Sequence, residues 1–229
     1  MLTIHHLNNS RSQRILWFLE ELKAESNGTF DYQIKHYQRD AKTMLAPDSL
    51  KQIHPLGKSP VITDGDLTIA ETGAIVEYLV DTYADKHWRP QRGTQARNDY
   101  NYWLHASEGT YMPYMVMKLV FSKITQPPVP FIVRPVTKAV NAQVSKEFLD
   151  PNIERGLQHL EQTLDGQDWL LGNELTAADI MMSFPVEGAA VRFGLEKSYP
   201  NIHAYMQRFQ NRETYKTALE KGGPYQLGL

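Results

Sequence analysis

An acid–hydroxyl pair, Glu71-Thr72, opens a helical pattern and follows closely on Ser59-Pro60, which opens an apolar run. Together these groups would hold a small peptide-like zwitterion. The Glu71 carboxylate can receive an ammonium, and the N–H groups of a helix beginning at Thr72 suit a carboxylate. Ser59, held by Pro60, can offer its main-chain N–H and C=O to a ligand backbone in the manner of an added β-strand, and Lys58 can reach a second carboxylate. Each has a plainer reading, as an exposed acid, an N-cap threonine or a solvated loop lysine. A second polar group, Asn8, Asn9, Ser10 and Ser12, stands at the head of an earlier helical pattern. There Ser10 and Gln13 have the S-x-x-Q spacing of a capping box, which by itself would only begin the helix. The chain has no cysteine, so disulfides, zinc–thiolate sites and a cysteine nucleophile of its own are excluded. Any thiol chemistry must use a sulfur brought by another molecule. His5, His6 and His54 lack metal-like spacing, and no metal site is expected.

The elements that must position these groups follow from hydrophobic periodicity. Leu2 to His5 is a β-prone run, Leu7 to Asn9 a polar loop, and Ile15, Leu16, Leu19 and Leu22 mark one face of an amphipathic helix with Arg14, Glu20 and Glu21 elsewhere. Asn27-Gly28 ends that helix, and Thr29 to Tyr37 alternates as a strand does. The order β-α-β predicts a parallel pair with a right-handed crossover. A short helix around Asp48 to Gln52 is expected next, then strands Val61 to Thr63 and Leu67 to Ala70 across the Asp64-Gly65 turn, then a helix from Thr72 to about Tyr83. Residues 85–94 lose the apolar periodicity and read as a linker. Beyond it the pattern is helical throughout. One long helix is predicted from Gln95 to about Lys123 with a kink at Pro113, followed by a non-helical proline-rich segment, Gln126 to Pro135. A helix over Thr137 to Phe148 follows, then one begun by an Asp150 N-cap with Pro151 at its first position. Leu175-Thr176-Ala177-Ala178-Asp179-Ile180 is a complete capping box with a hydrophobic staple, and it reads as structural.

Composition bounds the rest. A chain of 229 residues with 41% apolar content can bury a substantial core in one large or two smaller domains. A net charge of −2 gives no reason to expect nucleic acid or an anionic membrane as the main partner. No apolar run approaches the roughly 20 residues of a spanning helix, and a cytoplasmic location is expected.

The order of motifs, S-R-S-Q-R, G-K-S-P-V, A-E-T-G-A-I and L-T-A-A-D, on a β-α-β-α-β-β-α unit followed by an all-α unit, resembles the cytosolic glutathione transferases over essentially the whole chain. The fold class implied is α/β plus all-α: a thioredoxin-like, glutathione-binding domain over residues 1–84, a linker over 85–94, and an all-helical domain over 95–229 that forms the acceptor site. The resemblance implies a cis Pro60 and a serine-type member similar to bacterial and fungal ones. Ser10 is then the hydroxyl that favours the glutathione thiolate, with Ser12, Asn8 or Asn9 as alternatives. Lys58, Ser59, Pro60, Glu71 and Thr72 become the glutathione-binding set. Trp103, Tyr111, Met112, Tyr114 and Met115 are expected among the acceptor-pocket residues, although aromatic and methionine stripes also serve as core. The implied activity is conjugation of the glutathione thiolate to a hydrophobic electrophile, with glutathione-dependent peroxidase activity as an addition. The alternative is a non-catalytic glutathione-binding or regulatory module on the same fold. Glutathione enters as co-substrate with no permanently bound cofactor, and a homodimer is expected.

Overall fold

A computed structural model of the protein describes residues 1–223, Tyr225 and Leu227. Strand β1 (Leu2–Leu7), helix α1 (Ser12–Glu25) and strand β2 (Tyr32–Tyr37) form the first unit, and the two strands pair in parallel with Leu2 opposite Tyr32. The short helix expected next is a 3-10 turn, Asp48–Gln52, anchored by buried Leu50. Strand β3 (Val61–Asp64) runs antiparallel to β1, and β4 (Leu67–Ala70) returns beside it. The tight turn between them uses Gly65 at φ +56°, a conformation open to glycine without steric penalty. The sheet order is β2-β1-β3-β4, and α2 (Thr72–Tyr83) follows. The linker-like segment is pinned to the first unit: Trp88 is fully buried against Phe18, and its indole N–H donates to Glu25 at 2.7 Å.

The remainder is helical: α3 (Gln95–Ala106), α4 (Met112–Lys123), α5 (Arg134–Val144), α6 (Asp150–Thr163), α7 (Ala177–Phe193), α8 (Leu195–Ser198), α9 (Pro200–Gln210) and α10 (Glu213–Gly222). Two details differ from expectation for one reason. The long kinked helix is instead α3 and α4 joined by a π-turn, Ser107–Tyr111, just before Pro113. A second π-turn, Ser145–Leu149, precedes Pro151. Proline cannot donate the next helical hydrogen bond, and its ring crowds the preceding turn; the wider turn absorbs this without ending the helix. Asp150 therefore caps nothing, and its carboxylate pairs with Lys118. Among the described residues no helix is long and apolar enough to cross a membrane.

The Thr176–Asp179 capping box forms as its spacing predicts. Asp179 accepts from the Thr176 N–H at 2.9 Å and hydroxyl at 2.8 Å, and also from the Leu170 N–H and the Tyr205 hydroxyl. It thereby ties the loop before α7, and α9, to the start of a helix buried from Ala177 to Ala189. Burial pushes its carboxyl up to about 6.

Helix α1 is covered on more than its apolar face. Every residue from Ser12 to Leu22 is buried, because the sheet lies on one side and α7 and α10 on the other. The charged side chains of this buried stretch, Arg14, Glu20 and Glu21, consequently form ion pairs across the two halves. Glu21 accepts from Arg212 and from the Trp17 indole, Glu20 pairs with Lys221, and Arg14 pairs with Glu108 while donating to the Ser107 hydroxyl and the Met181 carbonyl. The S-x-x-Q box does not form. Gln13 is packed against Gly222, so closely that a Cβ there would lie 2.4 Å from its Oε1, and its amide has no hydrogen-bond partner. A different network starts the helix: the Ser10 hydroxyl lies 2.7 Å from both the Leu7 carbonyl and the Ser12 hydroxyl, and Ser12 lies 2.9 Å from His6 Nδ1. His6 Nε2 donates to the Gly222 carbonyl at 3.0 Å, which leaves Nδ1 as the acceptor for Ser12.

Glu108 and Arg14 are not equivalent in this arrangement. Glu108→Ala strands the buried Arg14 charge and should lower the unfolding free energy by about 2–3 kcal/mol. Arg14→Met should have a smaller effect, because Glu108 keeps Arg11 and the Met181 carbonyl keeps the Ser107 hydroxyl. Urea unfolding of the two variants measures the difference. Burial holds His6 down to about 4, so between its unfolded value near 6.5 and that value only the unfolded chain takes the proton. Its contribution is complete above about 6.5 and is lost as pH falls toward 4, on the order of 3 kcal/mol in all. Asp179, raised by burial, acts with the opposite sign over nearly the same interval, so the whole-protein curve hides the effect. The stability difference between wild type and His6→Gln should reveal it, large near pH 7.5 and shrinking toward pH 4.

Candidate active site

Two adjoining cavities open where the halves meet, and Arg11 lines both. The smaller, of about 250 Å³, brings Lys58, Ser59, Pro60, Glu71 and Thr72 around one space. The Ser59–Pro60 peptide is cis. The Ser59 hydroxyl donates to the His5 carbonyl at 2.7 Å, which ties this loop to β1 and leaves pairing with a ligand to the Ser59 main chain. Glu71 stands at the N-cap of α2 with φ +71°, in the left-handed region that non-glycine residues rarely occupy. Thr72 behind it is buried and lines the cavity with Glu71, and α2 has no side-chain cap, so its first N–H groups can serve an anion bound there. Lys58 is exposed at the rim. His54, read from the sequence only as a lone histidine, also lines this space, and its Nδ1 is buried with no hydrogen-bond partner.

The larger cavity, of about 290 Å³, is mostly apolar. Met112, Met115, Val116 and Leu119 line it as a stripe of α4, spaced i, i+3, i+4, i+7. Phe184 from α7 forms the opposite wall, with the Arg11 guanidinium 5.5 Å from its ring centre. The aromatic residues expected beside the methionines lie elsewhere. Trp103 stacks on His159, Tyr111 donates to the Gly156 carbonyl at 2.9 Å, and Tyr114 packs against Phe148. All three turn toward α6 and the π-turn before it: Trp103 and Tyr111 are buried core, Tyr114 is partly buried beside the exposed Phe148, and none of them lines this cavity.

Ser10 sits between the lining residues Asn9 and Arg11 but is itself buried, with its hydroxyl donating to Leu7. Asn9 lines the apolar cavity at φ +48°. Asn8 is turned away, its side-chain carbonyl accepting from the Arg39 N–H at 2.8 Å, and Ser12 lies deep in the hydroxyl network. Glu108 accepts from Arg11 Nε at 2.9 and 3.0 Å as well as from Arg14, and so fixes the residue shared by the two cavities. Arg11, Glu108, His54 and Phe184 were not singled out as cleft residues in the sequence. Only the stripe of α4 carried a local signal, its helical spacing. Among the described residues no cluster of three His, Asp or Glu side chains could hold a metal ion.

Comparison with known proteins places the chain by family and by fold. The glutathione S-transferase N-terminal domain family matches residues 3–81, and the C-terminal domain family matches residues 111–213. Glutathione S-transferase 3 of Schizosaccharomyces pombe is 32% identical over 222 residues, spanning 96% of this chain and 88% of that protein. A glutathione S-transferase of Actinobacillus pleuropneumoniae, known from its crystal structure, superposes with a TM-score of 0.78 at 34% identity, covering 99% of this chain and 95% of that one. A sphingomonad glutathione S-transferase, solved in complex with glutathione, shares the fold at a TM-score of 0.70 and 20% identity, over 96% of this chain and 98% of its own. On its motifs, its two-part fold and these matches, the chain belongs to the glutathione S-transferase family.

Proposed function

We propose that the protein conjugates glutathione to apolar electrophiles, with the tripeptide in the smaller cavity and the acceptor in the larger. The observation that carries this reading is the direct adjacency of the two cavities, one lined for a zwitterion and one apolar, across Arg11. Glu71 receives the γ-glutamyl ammonium, the Thr72 N–H and the start of α2 receive its carboxylate, the Ser59 main chain pairs with the cysteinyl residue, and Lys58 with His54 receives the glycyl carboxylate. The sulfur then lies at the Asn9–Arg11 turn. A free thiol has a pKa of about 8.5, and a hydroxyl donor together with the N-terminus of α1 increases the thiolate fraction near neutral pH. Ser10 supplies that hydroxyl by turning its proton from the Leu7 carbonyl to the sulfur, and Asn9 on the cavity wall is the alternative donor. The thiolate attacks the electrophilic carbon, a carbon–sulfur bond forms, and the leaving group takes the electron pair of the bond that breaks. The same reading takes the working form to be a cytoplasmic homodimer, and light scattering tests its oligomeric state.

The inward-facing Ser10 hydroxyl also favours a second reading, a module that binds glutathione without turnover. Retention on immobilised glutathione followed by assay of Ser10→Ala separates the two. For the enzyme, Ser10→Ala should stay on the column, lose about 100-fold in kcat/KM, and bring the bound thiol's pKa back toward about 8.5. Loss of activity in Asn9→Ala instead would move the donor to the amide. A wild-type protein that is retained but turns over no halogenated aromatic, isothiocyanate or peroxide is the module.

Glu71→Gly should weaken glutathione binding by about 10- to 100-fold, the worth of a hydrogen bond to a charged group. It should also raise the unfolding free energy by up to about 1 kcal/mol, because glycine relieves the positive φ. Glu71→Ala should lose the same affinity without that gain. Titration calorimetry and urea unfolding of both variants check the pair of effects.

A further inference from the structure

The apolar cavity contains two positive charges that no described acid balances. Arg39 and Arg192 both line it beside the stripe of α4. Arg39 donates to the Asn8 carbonyl at 3.2 Å, the Met44 carbonyl at 2.9 Å and the Asn9 carbonyl at 3.4 Å. Arg192 donates to the Gly188 carbonyl at 3.0 Å and the Leu227 carbonyl at 3.2 Å. Carbonyl groups satisfy N–H donors and leave the charge in place. Arg11 differs, since Glu108 neutralises it. Burial lowers the pKa of both Arg39 and Arg192, and no acid is near enough to offset this. A guanidinium has five donors, so each arginine has N–H groups left for an oxyanion in the fork geometry that carboxylates fit.

Resting on the transferase reading above, we propose that this cavity selects electrophiles whose apolar body carries a carboxylate, held by Arg39 and Arg192 while the body lies on Met112, Met115 and Phe184. The charge placement suits the chemistry. An anionic acceptor is repelled by the thiolate it must approach, and two cations on the acceptor side offset that repulsion. In the cavity the glutathione sulfur attacks the carbon bearing the leaving group, and the carboxylate takes no part in bond making.

The test compares a chloronitrobenzoate with the matching chloronitrobenzamide, in each of which the thiolate displaces chloride. For each acceptor kcat/KM is divided by the uncatalysed rate with glutathione. The ratio of benzoate to benzamide should fall about tenfold in Arg192→Gln, and Arg192→Lys, which keeps the charge, should retain most of it. Arg39→Gln should act in the same direction, with retention on immobilised glutathione reporting that the Asn8–Asn9 turn is intact. An unchanged ratio in both glutamine variants overturns the proposal. Calorimetry keeps the test independent of turnover. With S-methylglutathione bound, the wild-type protein should take a nitrobenzoate more tightly than a nitrobenzamide, and Arg192→Gln should lose the preference. Equal binding in the wild-type protein overturns the proposal, whereas failure to turn over either acceptor with the binding preference intact removes only the transferase reading.

Discussion

The Glu108 carboxylate is the joint on which this structure depends. It lies at the π-turn between α3 and α4 and receives Arg11 and Arg14, which come from the first turn of α1 in the other half of the chain. Arg14 is buried, and without this acid its charge would be left uncompensated there. Arg11 stands where the two cavities meet. A single acid therefore compensates an internal charge, joins the sheet-bearing half to the helical half, and orients the side chain that both subsites share. Because these tasks fall on one group, the relative placement of the two subsites is set by the same contact that closes the interface between the halves.

The principle extends along α1. A helix with one apolar stripe would ordinarily leave its charged face in water. Here the α7 and α10 side is also covered, and the charges on that face become ion pairs with Arg212, Lys221 and Glu108. Such pairs gain little net stability over apolar packing, but an unpaired partner is heavily penalised. They therefore favour one docking of the halves over a shifted one, which matters for the proposed site, whose two cavities are lined by Ser59 and Glu71 on one side and Met112 and Phe184 on the other.

Features whose partners lie close along the chain were legible in the sequence. The Thr176–Asp179 box, the Asp64-Gly65 hairpin and the β-α-β unit each follow from a few neighbouring residues. The residues around the smaller cavity are contiguous enough to be grouped for the same reason. Distant packing was not legible. Ser10 to Gln13 has the same spacing signature as the box at Thr176, yet Gln13 is turned away because Gly222, at the end of α10, packs against it. Trp103, Tyr111 and Tyr114 are the kinds of residue that line apolar pockets, and only distant partners, His159, Gly156 and Phe148, show that they pack toward α6 and the π-turn before it. Net charge likewise averages over the chain and cannot report that Arg39 and Arg192 share one apolar wall. Their nearest acceptors are carbonyl groups, which leave no mark in a count of charges.

The two π-turns also separate regions of the helical half. Each residue added to a helix rotates the downstream side chains by about 100° about the axis, and a π-turn introduces one such step without breaking the rod. The segment before Ser107–Tyr111 is thereby committed to the packed interior, and the segment after it presents a different azimuth to the cleft. One continuous rod thus carries two faces whose phases are set independently. Side chains on the far segment can vary with the shape of the apolar cavity while the near segment keeps its registry with α6 and α7.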